Sequence, residues 1–246
     1  MPLGSIDIIL GLFSFAFVFI TFIVGFKIIS RYFQYRASQI LLVGLAWIGL
    51  ASPWIPDALK PLYILIDPNH NELWIVTLNL IINNVILPIP VILWLVAFTQ
   101  MLKMNENLRK TVIIVTFILS IFYEIFLISF YITDIQMGIE ITGYLYSSEY
   151  IDNTLIIYIL VALITGLAFA FESMRSKDKE VKLKGLILII AFVLFAIGAT
   201  IDALYVTDIS NIYSRLILVI SSVMFYIGFI LPKWAKKILL KTDNSQ

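Results

Sequence analysis

The residues that could do chemistry in this sequence are a few polar side chains inside long apolar stretches. A charge at the centre of a membrane costs about 2.5–3.5 kcal/mol on insertion scales, so such residues usually face a protein interior and often mark function. We select as candidate ligand-binding residues Asn79, Asn83, Asn84, Glu124, Asp202, Arg215, Ser221 and Ser222.

Glu124 and the asparagines are expected to meet inside the protein. Asn79 and Asn83 are four residues apart and therefore share one face of a helix. At about 1.5 Å per helical residue, Asn83 and Glu124 both lie about 14–15 Å below the predicted outer membrane face. We expect Glu124 to contact Asn83 or Asn84, either as a ligand or proton site or as an interhelical hydrogen bond.

Asp202 and Arg215 stand near the end of one apolar stretch and the start of the next, at similar predicted depth. One interpretation is a salt bridge that joins the two helices. The other is a contact between Arg215 and an anionic ligand, with Asp202 orienting the guanidinium. Ser221 and Ser222 lie in the middle of a helix, where hydroxyl residues either line a ligand site or serve packing and backbone bonding.

Composition places these residues in a membrane protein. The chain of 246 residues is 61% hydrophobic and 13% charged, whereas soluble domains are about 45–50% apolar and about 25% charged. A spanning helix needs about 20 mostly apolar residues. The sequence predicts one all-α domain of seven transmembrane helices, at roughly 6–29, 37–56, 73–101, 111–133, 152–173, 183–205 and 212–233.

Basic residues predict the orientation of the predicted helices. Of the 17 lysines and arginines, all except Lys60 and Arg215 follow helix 1, 3, 5 or 7. The positive-inside rule then places the N-terminus outside and the C-terminus in the cytoplasm of a multi-pass cell-membrane protein. Trp54 and Trp74 are expected at the outer interface and Trp234 at the inner one.

Three local patterns refine this topology. Pro53 and Pro56, in SPWIP, are expected to end the second helix. The segment IEITGYLYS predicts either a small β-hairpin or an ordinary loop. A weak internal repeat aligns GLASPWIPDAL (49–59) with AIGATIDAL (196–204) and IINNV (81–85) with VISSV (219–223). This repeat favours, as an alternative, a 3+1+3 arrangement, in which one helix connects two repeats of three helices each.

Several chemistries can be argued against. The chain has no cysteine and a single histidine, His70, so one chain cannot form a site that needs two histidines. A retinal Schiff base needs a lysine in the middle of the last helix, where this chain has Ser221, Ser222 and Met224. We expect no enzyme activity, no metal, no cofactor and no nucleic-acid partner.

Two stretches resemble a known kind of protein. GLAWIGLASPWIPDAL (44–59) and FYIGFILPKWAKK (225–237) resemble an archaeal family of small seven-transmembrane-helix membrane proteins, which implies the fold and no particular activity. The stretch ESMRSKDKEVKLKG (172–185) is similar to seven-helix sensor regions found ahead of histidine kinases, which implies a sensor role.

We therefore expect a receptor-like or sensor-like protein that binds a small ligand in a polar interior cavity open to the outside. It would contact membrane lipids and signal through a cytoplasmic partner on the basic loop 175–184. The alternatives are a small 3+1+3 transporter, a lysine-less relative of the rhodopsin fold, and a structural subunit or oligomer in which the polar residues form interfaces.

Overall fold

The computed structural model describes residues 5–66, 81–133, 140–142, 145–147, 149–204 and 207–240. The helices in these residues are α1 (Ser5–Tyr35), α2 (Ser38–Gly49), α3 (Ile55–Ile66), α4 (Pro88–Met101), α5 (Glu106–Thr133), α6 (Glu149–Met174), α7 (Lys179–Leu204), α8 (Asp208–Ile230) and α9 (Lys233–Leu239). A 3-10 turn covers Ser52–Trp54 and a π-helical segment covers Ile81–Val85.

Six helical spans in the described residues are long and apolar enough to cross a membrane, as expected of a multi-pass membrane protein. They are Ile8–Tyr35, Ser38–Leu62, Glu106–Ser129, Leu155–Met174, Lys179–Leu204 and Ile209–Ile230. The predicted helix at 73–101 lies partly outside the described residues. Asn79, His70 and Trp74 lie outside them altogether. Its described part is the π-helical segment followed by the shorter apolar helix α4.

The helices form a closed ring in chain order. In this ring α1 packs on α2, α2 on α4, α4 on α6, α6 on α7, α7 on α8, and α8 back on α1. Helix α5 lies outside the ring, mainly against α4, and many of its large apolar side chains are exposed. Helices α1, α4, α6 and α8 all end on the same side of the ring. We call this side the basic end, because most lysines and arginines lie there.

Aromatic side chains fill the middle of the ring. The ring of Phe225 meets those of Trp47 and Phe192 edge-on, with centroids 4.2 and 4.8 Å apart. Trp54 meets Phe17 in the same way at 5.0 Å. Such pairs contribute about 0.5–1.5 kcal/mol beyond the burial of their area. In the described residues the middle of the ring is therefore apolar, and an interior cavity open to the outside stays a prediction.

The second predicted helix does not end at Pro56. Helix α2 ends at Gly49, the 3-10 turn follows, and α3 begins at Ile55. Pro56 is the second residue of α3. Backbone N–H groups in the first turn of a helix have no acceptor within the helix, so a proline there costs no hydrogen bond. The break was predicted correctly, but the chain continues as a helix and carries Asp57 into the bundle. Trp54 is only 2% exposed, so its placement at a membrane interface is wrong.

Two other local predictions can be compared with the structure. Strands β1 (Glu140–Thr142) and β2 (Leu145–Ser147) pair in antiparallel fashion, with Glu140 opposite Ser147. The predicted hairpin is therefore confirmed. Trp234 on α9 is 55% exposed, as expected for a residue at an interface.

Candidate functional site

Arg215 is the centre of a buried group of charged and polar side chains at the end of the ring opposite the basic end. It lies in the second turn of α8 and is 6% exposed. Its Nη2 donates a hydrogen bond to Oδ2 of Asp57 on α3, and its Nη1 donates to Oγ of Ser14 on α1 at 3.0 Å. Its Nε lies 3.1 Å from Oδ1 of Asp202, an ion pair without hydrogen-bond alignment. The predicted salt bridge between Asp202 and Arg215 is confirmed.

Asp202 has further partners that fix its carboxylate. Nε1 of Trp54 donates to Oδ2 at 2.9 Å, and Oγ of Ser214 donates to Oδ1 at 2.9 Å. We name Ser14, Trp54, Asp57, Asp202, Ser214 and Arg215 the charge cluster. It joins α1, the 3-10 turn, α3, α7 and α8, and it holds one cation between two carboxyl groups. Burying such charges is expensive unless each is paired and hydrogen-bonded, as here.

Sequence reasoning missed Asp57, the second carboxyl partner of Arg215. The expected helix stop at Pro56 placed Asp57 in a loop. The signal was nonetheless present, because Asp57 in IPDAL (55–59) occupies the position of Asp202 in TIDAL (200–204). The two aspartates that the repeat aligns both bind Arg215.

The predicted contact between Glu124 and the asparagines is not made with Asn84. Tyr123, the neighbour of Glu124, donates its hydroxyl to Oδ1 of Asn84 at 3.2 Å. Adjacent residues on a helix point about 100° apart, so α5 turns Tyr123 rather than Glu124 toward Asn84. Glu124 is half-buried and makes no hydrogen bond or ion pair with the residues that the structure describes. Since the side chain of Asn83 is not described, a contact there stays a prediction.

Ser221 and Ser222 are buried, and both bond within their own helix. Their hydroxyls donate to the carbonyl oxygens of Leu218 and Val219 at 2.8 and 2.7 Å. Such bonds satisfy a buried hydroxyl without a ligand. This geometry fits the packing interpretation of the two serines.

A cavity of about 320 Å³ lies inside the ring at its basic end. Five of the ring helices line it: α1, α2, α4, α6 and α8. Apart from Arg31 and Gln39, its lining residues are apolar: Ile28, Ile40, Val43, Trp94, Phe98, Met101, Phe169 and Phe229. Among the residues whose side chains the structure describes, none of the predicted ligand-binding residues and none of the charge cluster lines it.

Arg31 brings a positive charge to this cavity. Its Nη1 and Nη2 donate to the carbonyl oxygens of Phe229 and Ile230, at the end of α8, at 3.2 and 3.4 Å. Within the described residues, no carboxylate lies within salt-bridge distance of Arg31. Sequence reasoning treated Arg31 only as a residue that sets the orientation.

Three described acidic side chains near the basic end, those of Glu106, Glu172 and Glu180, are paired with other cations. Glu106 lies 2.8 Å from Nζ of Lys110, and Glu180 lies 3.1 Å from Nζ of Lys184. Glu180 also accepts a hydrogen bond from Lys236 on α9, which raises the pKa of Lys236. The basic loop 175–184 is thus partly neutralised within the chain, although Arg175 remains 81% exposed.

No protein-family model, curated protein or solved structure matches this chain. The function must therefore be argued from the cavity and the charge cluster themselves.

Proposed function

We propose that this chain is a receptor-like or sensor-like membrane protein that binds a small ligand in the cavity at the basic end. The observation that carries the proposal is a cavity of about 320 Å³ inside a closed ring of helices. This volume lies within the range of about 300–1,000 Å³ typical of small-molecule sites. Because five helices line the cavity, one bound molecule would contact both early and late parts of the chain.

The proposal includes seven transmembrane helices, with the N-terminus outside and the C-terminus in the cytoplasm of the cell membrane. The third span would be the predicted helix at 73–101, whose described part is the π-helical segment and α4. The distribution of lysine and arginine supports this orientation through the positive-inside rule. In this orientation the cavity lies in the cytoplasmic half of the bundle and the charge cluster in the outer half.

A ligand in the cavity can act as a signal only if it binds two arrangements of the helices with different affinity. Phe169 lines the cavity, and α6 ends five residues later at Met174, where the basic loop 175–184 begins. A change in the position of α6 would therefore move this loop. We propose the exposed cations of the loop, Arg175 foremost, as the contact for a cytoplasmic partner.

The test is ligand-induced thermal stabilisation of the purified full-length protein against a library of metabolites and lipids. Ile40→Trp places an indole into the cavity, whereas Ile23→Trp places the same group on an exposed face of α1. We expect a ligand to raise the melting temperature of wild type and Ile23→Trp but not that of Ile40→Trp. Equal stabilisation of all three proteins would show that the ligand does not occupy the cavity.

A 3+1+3 transporter is the second candidate, and the charge cluster favours it. The aligned residues Asp57 and Asp202 converge on Arg215. The ring divides into α1–α2–α4 and α6–α7–α8, joined by a small contact of α4 with α6 and a larger one of α8 with α1. A duplicated transporter with parallel repeats would have this symmetry.

Vesicle uptake separates the two candidates. A proton-coupled transporter needs its membrane carboxyls, so Asp57→Asn and Asp202→Asn should each abolish proton-dependent uptake of a cavity ligand. A receptor should show no such uptake in wild type, and Asp57→Asn should still bind the ligand. Proton-dependent uptake that survives both substitutions would exclude the cluster as the coupling site.

A further inference from the structure

We infer that the cavity at the basic end binds a long-chain fatty carboxylate from the membrane, with its head group on Arg31 and its chain directed toward the aromatic centre of the ring. This inference rests on the proposed function, because it names the class of ligand for the same cavity.

The lining determines the body of the ligand. Apart from Arg31 and Gln39, every side chain that lines the cavity is aliphatic, aromatic or methionine. Trp94 presents only its ring system, since its Nε1 donates to Oγ1 of Thr165 at 2.8 Å. A sugar or nucleotide would lose its hydrogen bonds to water here without replacement, at about 1–3 kcal/mol for each polar group. A hydrocarbon chain loses none.

Arg31 determines the head group. Its two hydrogen bonds, at 3.2 and 3.4 Å, run to uncharged main-chain oxygens, whereas guanidinium–carboxylate bonds are usually about 2.7–2.9 Å long. A guanidinium has five N–H donors, so a carboxylate can bind without displacing either carbonyl. The described acidic residues at this end are engaged elsewhere, as with Glu106 and Glu180, which leaves the charge of Arg31 to be matched by a ligand.

The arrangement along the helices determines the direction of the ligand. Gln39 is the second residue of α2, and Val43 lies one turn further into the bundle. On α1, Arg31 lies near the end and Ile28 lies deeper. The two polar lining residues thus lie near the end of the bundle, whereas apolar lining residues such as Ile28 and Val43 extend further inward. A fatty carboxylate in a membrane leaflet has the same order, with its head near the surface and its chain inward.

A brominated long-chain fatty acid tests this inference, because bromine quenches tryptophan fluorescence at contact distance and Trp94 lines the cavity. The full-length protein is placed in phosphatidylcholine nanodiscs, and the brominated fatty alcohol serves as the uncharged control ligand. We expect saturable quenching by the acid, loss of that component in Trp94→Phe, and binding of the alcohol at least about tenfold weaker.

The protein variants isolate the head-group contact. Arg31→Gln should weaken binding of the acid at least about tenfold. Arg36→Gln, which removes an exposed arginine at the same end, should bind as wild type does. Arg31→Lys keeps the charge but not the planar fork and should fall between wild type and Arg31→Gln. It also serves as the decisive variant if Arg31→Gln does not fold.

The outcomes that overturn the inference differ from those that overturn the proposed function. Equal affinity for acid and alcohol, with Arg31→Gln binding like wild type, would exclude Arg31 as the head-group site but leave a ligand cavity. Absence of quenching by either probe, together with stabilisation by another compound that Ile40→Trp abolishes, would reject the fatty ligand alone. If no compound acts through the cavity, both proposals fail.

Discussion

Arg215 and Arg31 are two arginines inside one bundle, at opposite ends and in contrasting surroundings. Arg215 is 6% exposed and lies between two carboxyl groups, with a serine hydroxyl on Nη1. Arg31 is partly buried beside a cavity, and its described hydrogen bonds run only to main-chain carbonyls.

The difference separates a charge that holds helices together from one that is available to a ligand. The partners of Arg215 come from three helices and surround its guanidinium with two carboxyl groups and a hydroxyl group. Replacing Arg215 would leave the two carboxyl groups without this buried cation. The surroundings of Arg31 would instead be completed by an anion.

Loss of the Arg215 charge is expected to have the largest effect. Arg215→Gln leaves Asp57 and Asp202 buried without a cation, and breaking a buried pair in this way usually costs about 3–5 kcal/mol. We expect a large fall in melting temperature or failure to fold, measured by thermal unfolding in detergent. Adding Asp57→Asn and Asp202→Asn should restore part of the loss. If Arg215→Gln unfolds within about 1 kcal/mol of wild type, the cluster is not what joins these helices.

Loss of a single hydrogen bond in the charge cluster should have an intermediate effect. Trp54→Phe keeps the aromatic contact with Phe17 but removes the Nε1 hydrogen bond to Asp202. Hydrogen bonds to charged groups contribute about 1.5–3 kcal/mol, and the free energy of unfolding should fall by about that amount. Trp234→Phe, at a residue that is 55% exposed, is the matched control. Equal stability of the two variants would contradict this role for Trp54.

Arg31→Gln should destabilise the protein far less than Arg215→Gln. It removes two long hydrogen bonds to carbonyls and leaves no carboxylate of the described residues without its partner. We expect a loss of about 1 kcal/mol or less in the same unfolding measurement. A loss as large as that of Arg215→Gln would show that Arg31 is also a structural residue, and the contrast between the two ends would disappear.

The smallest effect is expected at the surface of the basic end, where Lys236 bonds Glu180. This bond raises the pKa of Lys236 in the folded protein. The contribution of this bond to stability is therefore complete below the pKa of about 10.4 that lysine has in the unfolded chain. It disappears as the pH rises through the higher pKa of Lys236 in the folded protein. Wild type should melt slightly above Lys236→Gln at pH 8, and the gap should close in alkaline buffer. Lys237→Gln should show no such pH-dependent gap.

The helices were predictable because hydropathy depends on local composition alone. The confirmed pair of Asp202 and Arg215 also followed from local placement, since both residues flank one short connection. Asp57 was missed because Pro56 can either end a helix or begin one, and the residues around it do not decide between these roles. Only the alignment with Asp202 pointed to its position.

The cavity could not be predicted, since its lining is assembled from five helices. Arg31 is one of many cations at the basic end, and hydropathy does not distinguish an arginine that faces the ring from one that faces water. Likewise, whether Tyr123 or Glu124 contacts Asn84 depends on the rotation of α5 about its axis. A shift of one residue changes that rotation by about 100°. Helix boundaries predicted from sequence are uncertain by about 2–4 residues, so the sequence does not decide which side chain faces Asn84.

The ion pair between Asp57 and Arg215 also has a consequence during biosynthesis. The ribosome adds Asp57 to the chain 158 residues before Arg215, so most of the protein is made while this carboxyl group lacks its arginine partner. Closure of the ring must wait as well, because α1 needs α8 as its neighbour. A chain truncated before α8 therefore lacks the arginine partner of Asp57 and has an open ring, two features that distinguish it from the finished protein.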